Sequence, residues 1–410
     1  MTEESLTKSD NNTPGQLSSG MMMVFISILS AFPMLATDMY LPAIPSIKGQ
    51  LNTSVELVNL TISVFFITIS FSGLVFGPLS DRFGRKPVIF ITITVYILAS
   101  LGCAFSPNIY YLIIFRIFQA IGCASGVSIS TAIVKDFFPP EKKEKAFAVI
   151  GALTGFVPIA APILGAQILK FTSWRGAFVV LALLGMVSLI FSFFYKETNL
   201  DRSDESIPAS MAKLFVVLGN PAFARLVFLF ALAPLGMMAF VGISPTIFIE
   251  GFGVSEQTYT FYFAANAAVS IIVALAYIRV SQIIKPIYII TGSFMMSILS
   301  GVLIIFLGEL HPMLFLATIA IGTSAFALQR PPSMNLMIEQ QDKNTGSASS
   351  LMFCFMGLFG SLGLVIISMD WNNRIIVLGV INVILGLLST SFWLYAKNRC
   401  RIPKSMRLAG

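Results

Sequence analysis

The 410-residue sequence predicts an all-α polytopic membrane protein with twelve transmembrane helices. Three observations predict it. The chain is 56% hydrophobic and only 11% charged, whereas ordinary soluble domains carry about 25% charged residues. Its mean hydropathy is +0.86. Apolar runs recur along the whole chain, and at about 20 residues per span the length accommodates twelve helices, short loops and no large soluble domain. The 30 glycines and 20 prolines fit membrane helices, which tolerate both.

The apolar runs place spans at 21–45, 57–79, 87–106, 109–134, 146–169, 175–195, 223–248, 258–279, 286–308, 312–335, 347–369 and 374–396. The basic residues set an orientation. With both termini cytoplasmic, cytoplasmic segments hold Arg82, Arg85, Lys86, Lys135, Lys142, Lys143, Lys145, Lys196, Arg202, Lys213, Arg225, Arg279, Lys285 and Lys343, besides Lys8 and the basic C-terminal tail. The opposite side holds Lys48, Lys170, Arg175 and Arg374. This is a strong positive-inside bias and favours an even number of spans.

The domain organisation follows. Residues 1–20 read as a disordered cytoplasmic tail, since they lack the basic opening and cleavage site of a signal peptide. Residues 21–195 form one six-helix bundle, 196–222 a solvated cytoplasmic linker, 223–396 a second bundle, and 397–410 a basic cytoplasmic tail. The halves echo each other: Arg82, Arg85, Lys86 and Pro87 follow span 2, and Arg279, Lys285 and Pro286 follow span 8. Two six-helix halves with a faded repeat suit a secondary transporter.

Composition excludes several functions. The net charge of +7 sits in short loops between spans, so it speaks for orientation and not for nucleic acid. The four cysteines and the single His311 form no metal-site spacing. The sequence has no phosphate loop for ATP and no catalytic triad, so an ion gradient is the expected energy source and no cofactor or enzymatic activity is expected. The expected partners are a small-molecule substrate, protons and the lipid bilayer, with the protein a monomer.

Asp38 carries the sharpest chemistry. An acid in a membrane span costs about 2.5–3.5 kcal/mol on insertion scales and usually faces a cavity serving ions or protons. A carboxyl in a low-dielectric setting holds its proton more readily than in water, which suits proton uptake and release. Asp38 lies seven residues before Pro45, about 10 Å from the far end at 1.5 Å per residue. That depth argues against a headgroup aspartate. Arg116 lies seven residues past Ile109, also about 10 Å deep. An acid and a base at one depth can neutralise each other, so the two are expected to be coupled, directly or through Gln119 and water. The alternative for Arg116 is a tie to a backbone carbonyl.

Further candidates lie elsewhere. Between spans 2 and 3 runs Gly77-Pro78-Leu79-Ser80-Asp81-Arg82-Phe83-Gly84-Arg85-Lys86-Pro87. Gly77 and Gly84 allow a tight turn and close helix approach, and Asp81 can pair with an arginine or face a helix N-terminus. The segment is either a charged latch that gates rocking of the bundles or simply a basic turn. In span 5, Pro158 and Pro162 are set to kink the helix while Gly165 lets a neighbour approach. Tyr40, Tyr262, Asn266 and Asn335 are candidate hydrogen-bonders in a substrate cavity. Arg330 reads either as a cavity cation or as a side chain reaching back to the headgroups.

The loop from Gly77 to Lys86 resembles the signature loop of the major facilitator superfamily. Ala36-Thr37-Asp38-Met39-Tyr40-Leu41-Pro42 looks like the Bcr/CflA drug-resistance transporters within it. Arg116-Ile117-Phe118-Gln119-Ala120-Ile121-Gly122, Lys135-Asp136-Phe137-Phe138, Ser173-Trp174-Arg175-Gly176-Ala177-Phe178 and Gly346-Ser347-Ala348-Ser349 are also similar to family motifs. The stretch around Pro158, Pro162 and Gly165 is similar to the antiporter motif of drug exporters, with Ala161 and Ala166 where that motif has glycines. The resemblance implies a major facilitator fold in a bacterial inner membrane and proton-coupled efflux of small amphipathic compounds such as chloramphenicol or bicyclomycin. The alternatives are a dedicated metabolite exporter, for example of nucleosides, and a non-transporting membrane sensor or channel.

Overall fold

A computed structural model describes residues 17–199, 205–341 and 343–397. Outside them lie most of the expected N-terminal tail with Lys8, linker residues Asp201, Arg202 and Asp204, and the C-terminal tail with Cys400.

Among the described residues, twelve helices are long and apolar enough to cross a membrane. They are Ser19–Gln50, Val55–Phe83, Arg85–Ala104, Ile109–Phe137, Lys145–Phe171, Trp174–Phe194, Pro221–Gly251, Glu256–Ile283, Pro286–Leu307, Pro312–Ile338, Thr345–Ser368 and Arg374–Ala396, here spans 1 to 12. Side chains start many of them. Ser18, Ser54, Asn108, Asn220, Ser255 and Asn373 each accept from backbone amides of the first turn, which satisfies donors that have no helical partner. Spans 1 and 12 begin and end on one face, called here the termini face; the other is the far face.

The halves repeat one packing scheme. Span 3 packs on spans 4 and 6, span 1 on spans 4 and 5, and span 2 on span 4. In the second half span 9 packs on spans 10 and 12, span 7 on spans 10 and 11, and span 8 on span 10. Glycines make the repeat visible residue by residue. A Cβ on Gly185 would strike Ile97, and one on Gly386 would strike Ile298, both residues shifted by the same 201 positions. A Cβ on Gly165 would meet the Met39 carbonyl, and one on Gly363 the Leu235 carbonyl. Bare glycine at these points lets neighbouring helices approach to backbone distance.

The seam between halves runs along spans 2 and 11 and spans 5 and 8. The ion pairs across it lie at the far face: Lys48 with Glu250 at 3.2 Å and Arg374 with Glu56 at 3.6 Å. Just below them the buried Asn59 donates to Ser368 Oγ at 2.9 Å.

The linker differs from the expected solvated loop. Ile207–Leu218 is a helix with Ser206 as its cap and Pro208 in its first turn. Leu214 and Val217 are buried in the apolar cluster of the second half, while Phe215 and Val216 are exposed. Apolar residues three apart give it one buried face, and it packs against spans 2, 7 and 11.

The span 9–12 contact yields a direct test. Gly386→Val places a branched side chain against Ile298 and the Phe294 carbonyl. The expected result is destabilisation of about 1–3 kcal/mol, the usual cost of overpacking, read as a lower melting temperature in detergent. An unchanged melting temperature would show that the two spans do not need this approach.

Candidate functional site

Span 1 is not one continuous helix. Its α-helix ends at Asp38, followed by a 3-10 turn over Leu41–Ala43 and a short helix over Ile44–Gln50. Proline accounts for the break. Pro42 has no N–H to return to the carbonyl of Asp38, and Pro45 has none for Leu41. The Tyr40 amide turns to the Thr37 carbonyl at 3.1 Å, so the Ala36 carbonyl loses its usual helical donor. Because the span continues to Gln50, Asp38 lies deeper than counting back from Pro45 suggests.

Arg116 of span 4 fills the gap. Its Nη1 donates to the Ala36 carbonyl at 3.0 Å and to Gln119 Oε1 at 2.9 Å. Gln119 in turn donates to Ser100 Oγ of span 3 at 2.9 Å. The guanidinium is completely buried among three rings, with centroids at 4.6 Å for Phe65, 4.8 Å for Tyr40 and 5.8 Å for Phe178. Nε and Nη2 have no hydrogen-bond partner among the described residues. An arginine at mid-membrane costs about 2.5–3.5 kcal/mol on insertion scales. Hydrogen bonds to a charged group contribute about 1.5–3 kcal/mol and a desolvated ring face up to about 2, so this surrounding can hold the cation without an anion.

Asp38 is therefore not bonded to Arg116: among the described residues no ion pair joins them. The carboxylate is half-buried and accepts from Thr37 Oγ1 at 3.2 Å. The two charges share span 1 instead, because Arg116 grips the turn that ends at Asp38. Of the expected coupling, directly or through Gln119 and water, the direct contact is absent among the described residues, and Arg116 holds both Gln119 and a backbone carbonyl.

Span 5 closes on the same turn. Gly165 lies against the Met39 carbonyl, where any side chain would collide. Pro158 and Pro162 sit inside the continuous helix Pro140–Phe171. The family-like stretch in span 5 thus packs its one close-contact glycine on the residue after Asp38.

Tyr40 is buried inside the first bundle, its hydroxyl 2.9 Å from Thr61 Oγ1, so it braces Arg116 and does not line a cavity. Asn266 is buried and accepts from Thr323 Oγ1 at 2.9 Å. Tyr262 stacks on Phe248 at 5.1 Å. Asn335 and Arg330 are exposed toward the termini face of span 10.

The loop between spans 2 and 3 is a charged junction. Gly84 adopts φ +100°, a conformation that favours glycine. Arg85 is buried; its Nη1 meets Asp81 at 2.5 Å and Ser80 Oγ at 2.6 Å, and its Nε meets Asp136 of span 4 at 3.2 Å. The N-terminus of span 3 is capped by Glu197, which accepts from the Arg85 and Lys86 amides at 3.0 Å each. Asn199 donates to the Asp81 carbonyl at 2.9 Å. Lys86 Nζ donates to the Phe193 carbonyl, and Arg82 lies over Phe83. Gly77 has open space around its Cα, so close packing does not explain it. Sequence reasoning missed Glu197; its place just after span 6, on the face that carries the loop, is the one available signal.

Trp174 and Arg175 have structural roles. Trp174 Nε1 donates to Gln50 at the end of span 1 at 2.9 Å. Arg175 takes the carbonyls of Ala104 and Ser106 at 2.8 Å each, at the end of span 3.

Residues 26–364 match the family model described as Major Facilitator Superfamily. The chain belongs to the Major Facilitator Superfamily. An uncharacterized MFS-type transporter of Bacillus subtilis, YdgK, is 30% identical over 82% of this chain and 86% of its own length. A chloramphenicol resistance protein of Pseudomonas aeruginosa is 27% identical, covering 88% and 89%. A bicyclomycin resistance protein homolog of Haemophilus influenzae is 28% identical, covering 85% and 89%. Among solved structures, a bacterial homolog of the lysosomal transporter Spinster, inward-facing and unoccupied, superposes with a TM-score of 0.74 at 15% identity, covering 97% of this chain and all of that one. The superfamily fold and these relatives make this a multi-pass inner-membrane transporter.

Two substitutions test the geometry. Arg116→Lys keeps the charge, but a lysine lacks the planar fork that reaches Ala36 and Gln119 from one nitrogen while presenting its face to the rings. Expected is a loss of about 1–3 kcal/mol, the cost of an unsatisfied buried carbonyl, together with strongly reduced transport; wild-type melting and transport would show that charge alone suffices. Glu197→Gln keeps an acceptor at the span 3 N-terminus but removes the charge that complements it, worth about 0.3–2 kcal/mol. Slower turnover with substrate affinity within a few-fold of wild type is expected. A large loss of equilibrium binding would place this junction in substrate recognition instead.

Proposed function

We propose that this transporter exports small amphipathic compounds in exchange for protons by alternating access. The observation that carries the reading is Asp38, an acid half-buried at the break of a membrane span, with no cation bonded to it among the described residues and two other spans gripping the same turn. Such an acid is costly in a membrane unless it serves a function. A helix break gives a proton-binding group a polar setting within the bilayer, a device used by secondary transporters.

The basic loops assign the termini face to the cytoplasm. The ion pairs across the seam then close the outer side. Substrate enters from the cytoplasm and competes with the proton on Asp38. The outer pairs part, the halves rock about the seams, and substrate leaves outward while a proton enters. Arg85, held by Asp81 and Asp136, joins the inner ends of spans 2, 3 and 4 as that motion proceeds. Exchange of one proton for one neutral molecule moves one charge, worth about 2.3 kcal/mol per 100 mV. The drug-resistance names of the relatives support small amphipathic compounds as the substrate class.

Asp38→Asn keeps the size of the side chain and removes the titrating proton. The variant should insert and bind chloramphenicol but fail to accumulate it inside everted vesicles whose lumen has been acidified. Substrate-induced proton release, followed with a fluorescent pH reporter, should fall to background. Normal proton release from Asp38→Asn would remove Asp38 from the cycle.

A further inference from the structure

The second half holds a cavity that the charge-based scheme does not use, with a largely apolar wall into which a few polar side chains are set. It is about 30 Å³ in volume and lies among spans 7, 9, 10 and 12. No ionisable residue lines it. Gln329 and Ser389 are each more than nine-tenths buried, line the cavity, and make no side-chain hydrogen bond among the described residues; the half-buried Ser297 makes none either. Asn382 uses its amide on the Leu378 carbonyl at 3.1 Å, which leaves its oxygen free to accept. Buried polar groups are rarely left unpaired, because each gives up water without compensation.

The internal repeat shows where the space comes from. Gly185 packs on Ile97 and Gly386 on Ile298, which sets the two halves in register at 201 positions. In that register Ser297 occupies the place of Tyr96. Tyr96 fills the first half with its ring, stacked on Phe32 at 4.4 Å. The second half replaces that ring with a serine hydroxyl and surrounds the space with neutral donors and acceptors. Filling it with another aromatic ring would have been the simpler packing solution.

We propose that this pocket is a binding site for small uncharged hydrogen-bonding groups. The lining decides the chemistry. Serine hydroxyls and the two amides offer donors and acceptors, and nothing compensates an ion. The size decides the extent: a water needs about 10–15 Å³ measured this way, so the cavity takes about two waters, or one hydroxyl or amide arm of a larger molecule. Both sources share the same chemistry. The inference goes beyond proton exchange at Asp38, and its test needs no transport.

The test is radiolytic hydroxyl labelling of detergent-purified protein, read by mass spectrometry at Met237 and Phe326, which line the cavity. Bound water beside these residues should label both in the wild type. Ser297→Tyr, which restores the ring of the other half, should cut labelling at both several-fold. Gln329→Leu removes a polar wall without adding an aromatic ring and should do the same, which keeps the test open if Ser297→Tyr folds poorly. Chloramphenicol, a neutral diol amide, then separates the sources. Protection of Met237 and Phe326 by the drug assigns the site to a substrate arm, and unchanged labelling assigns it to resident water. Absence of labelling in the wild type, or equal labelling in wild type and both variants, would overturn the proposal.

Discussion

The break in span 1 is the constraint on which the site rests. Prolines at 42 and 45 end the helix at Asp38 because neither can return a hydrogen bond to the preceding turn. In water, solvent would satisfy the freed carbonyls. In a bilayer the protein must do so. Arg116 supplies the donor for Ala36, and Gly165 lets span 5 close over Met39. The position of the acid, the burial of the arginine and the absence of a side chain in span 5 all answer one backbone defect.

This also explains how a cation can lie near an acid in the membrane without pairing with it. A direct ion pair would hold Asp38 in its charged form and oppose protonation. A guanidinium occupied by a carbonyl, an amide and three aromatic faces fixes the geometry of the turn and leaves the carboxylate available. The arginine is thus a positioning residue for span 1. At the termini face Arg85 has the opposite arrangement, with two carboxylates on one guanidinium.

The two halves share a framework and differ in what fills it. Matching glycines fix the helix contacts in both. The first half then holds the charges, Asp38 and Arg116, while the cavity of the second has no ionisable lining and sets neutral polar groups such as Asn382 and Gln329 into an apolar wall. A repeat preserved in its contacts and divergent in its interior permits one half to handle ions and the other to meet neutral groups without altering the rocking geometry.

The sequence by itself determined the twelve spans, the two-half plan and the positions of Asp38, Arg116 and the Gly77–Lys86 loop. Span length and charge placement are set by the bilayer, and both are written locally in the chain. The break in span 1 was not legible there: the apolar run reads as continuous over 21–45 with Pro45 at its outer end, and the structure shows that Pro42 and Pro45 interrupt it at Asp38. Only the tertiary structure decided what those residues touch. Equal depth suggested that Arg116 meets Asp38, but depth fixes one coordinate only, and rotation about the helix axes turned the guanidinium to Ala36 and the rings. Tyr40 was taken inward by the same rotation. Glu197 reached the span 3 N-terminus from over a hundred residues away, a distance that no local pattern spans. The neutral pocket was invisible for the same reason: Ser297, Gln329, Asn382 and Ser389 are unremarkable in sequence and become a site only when three helices bring them around one space.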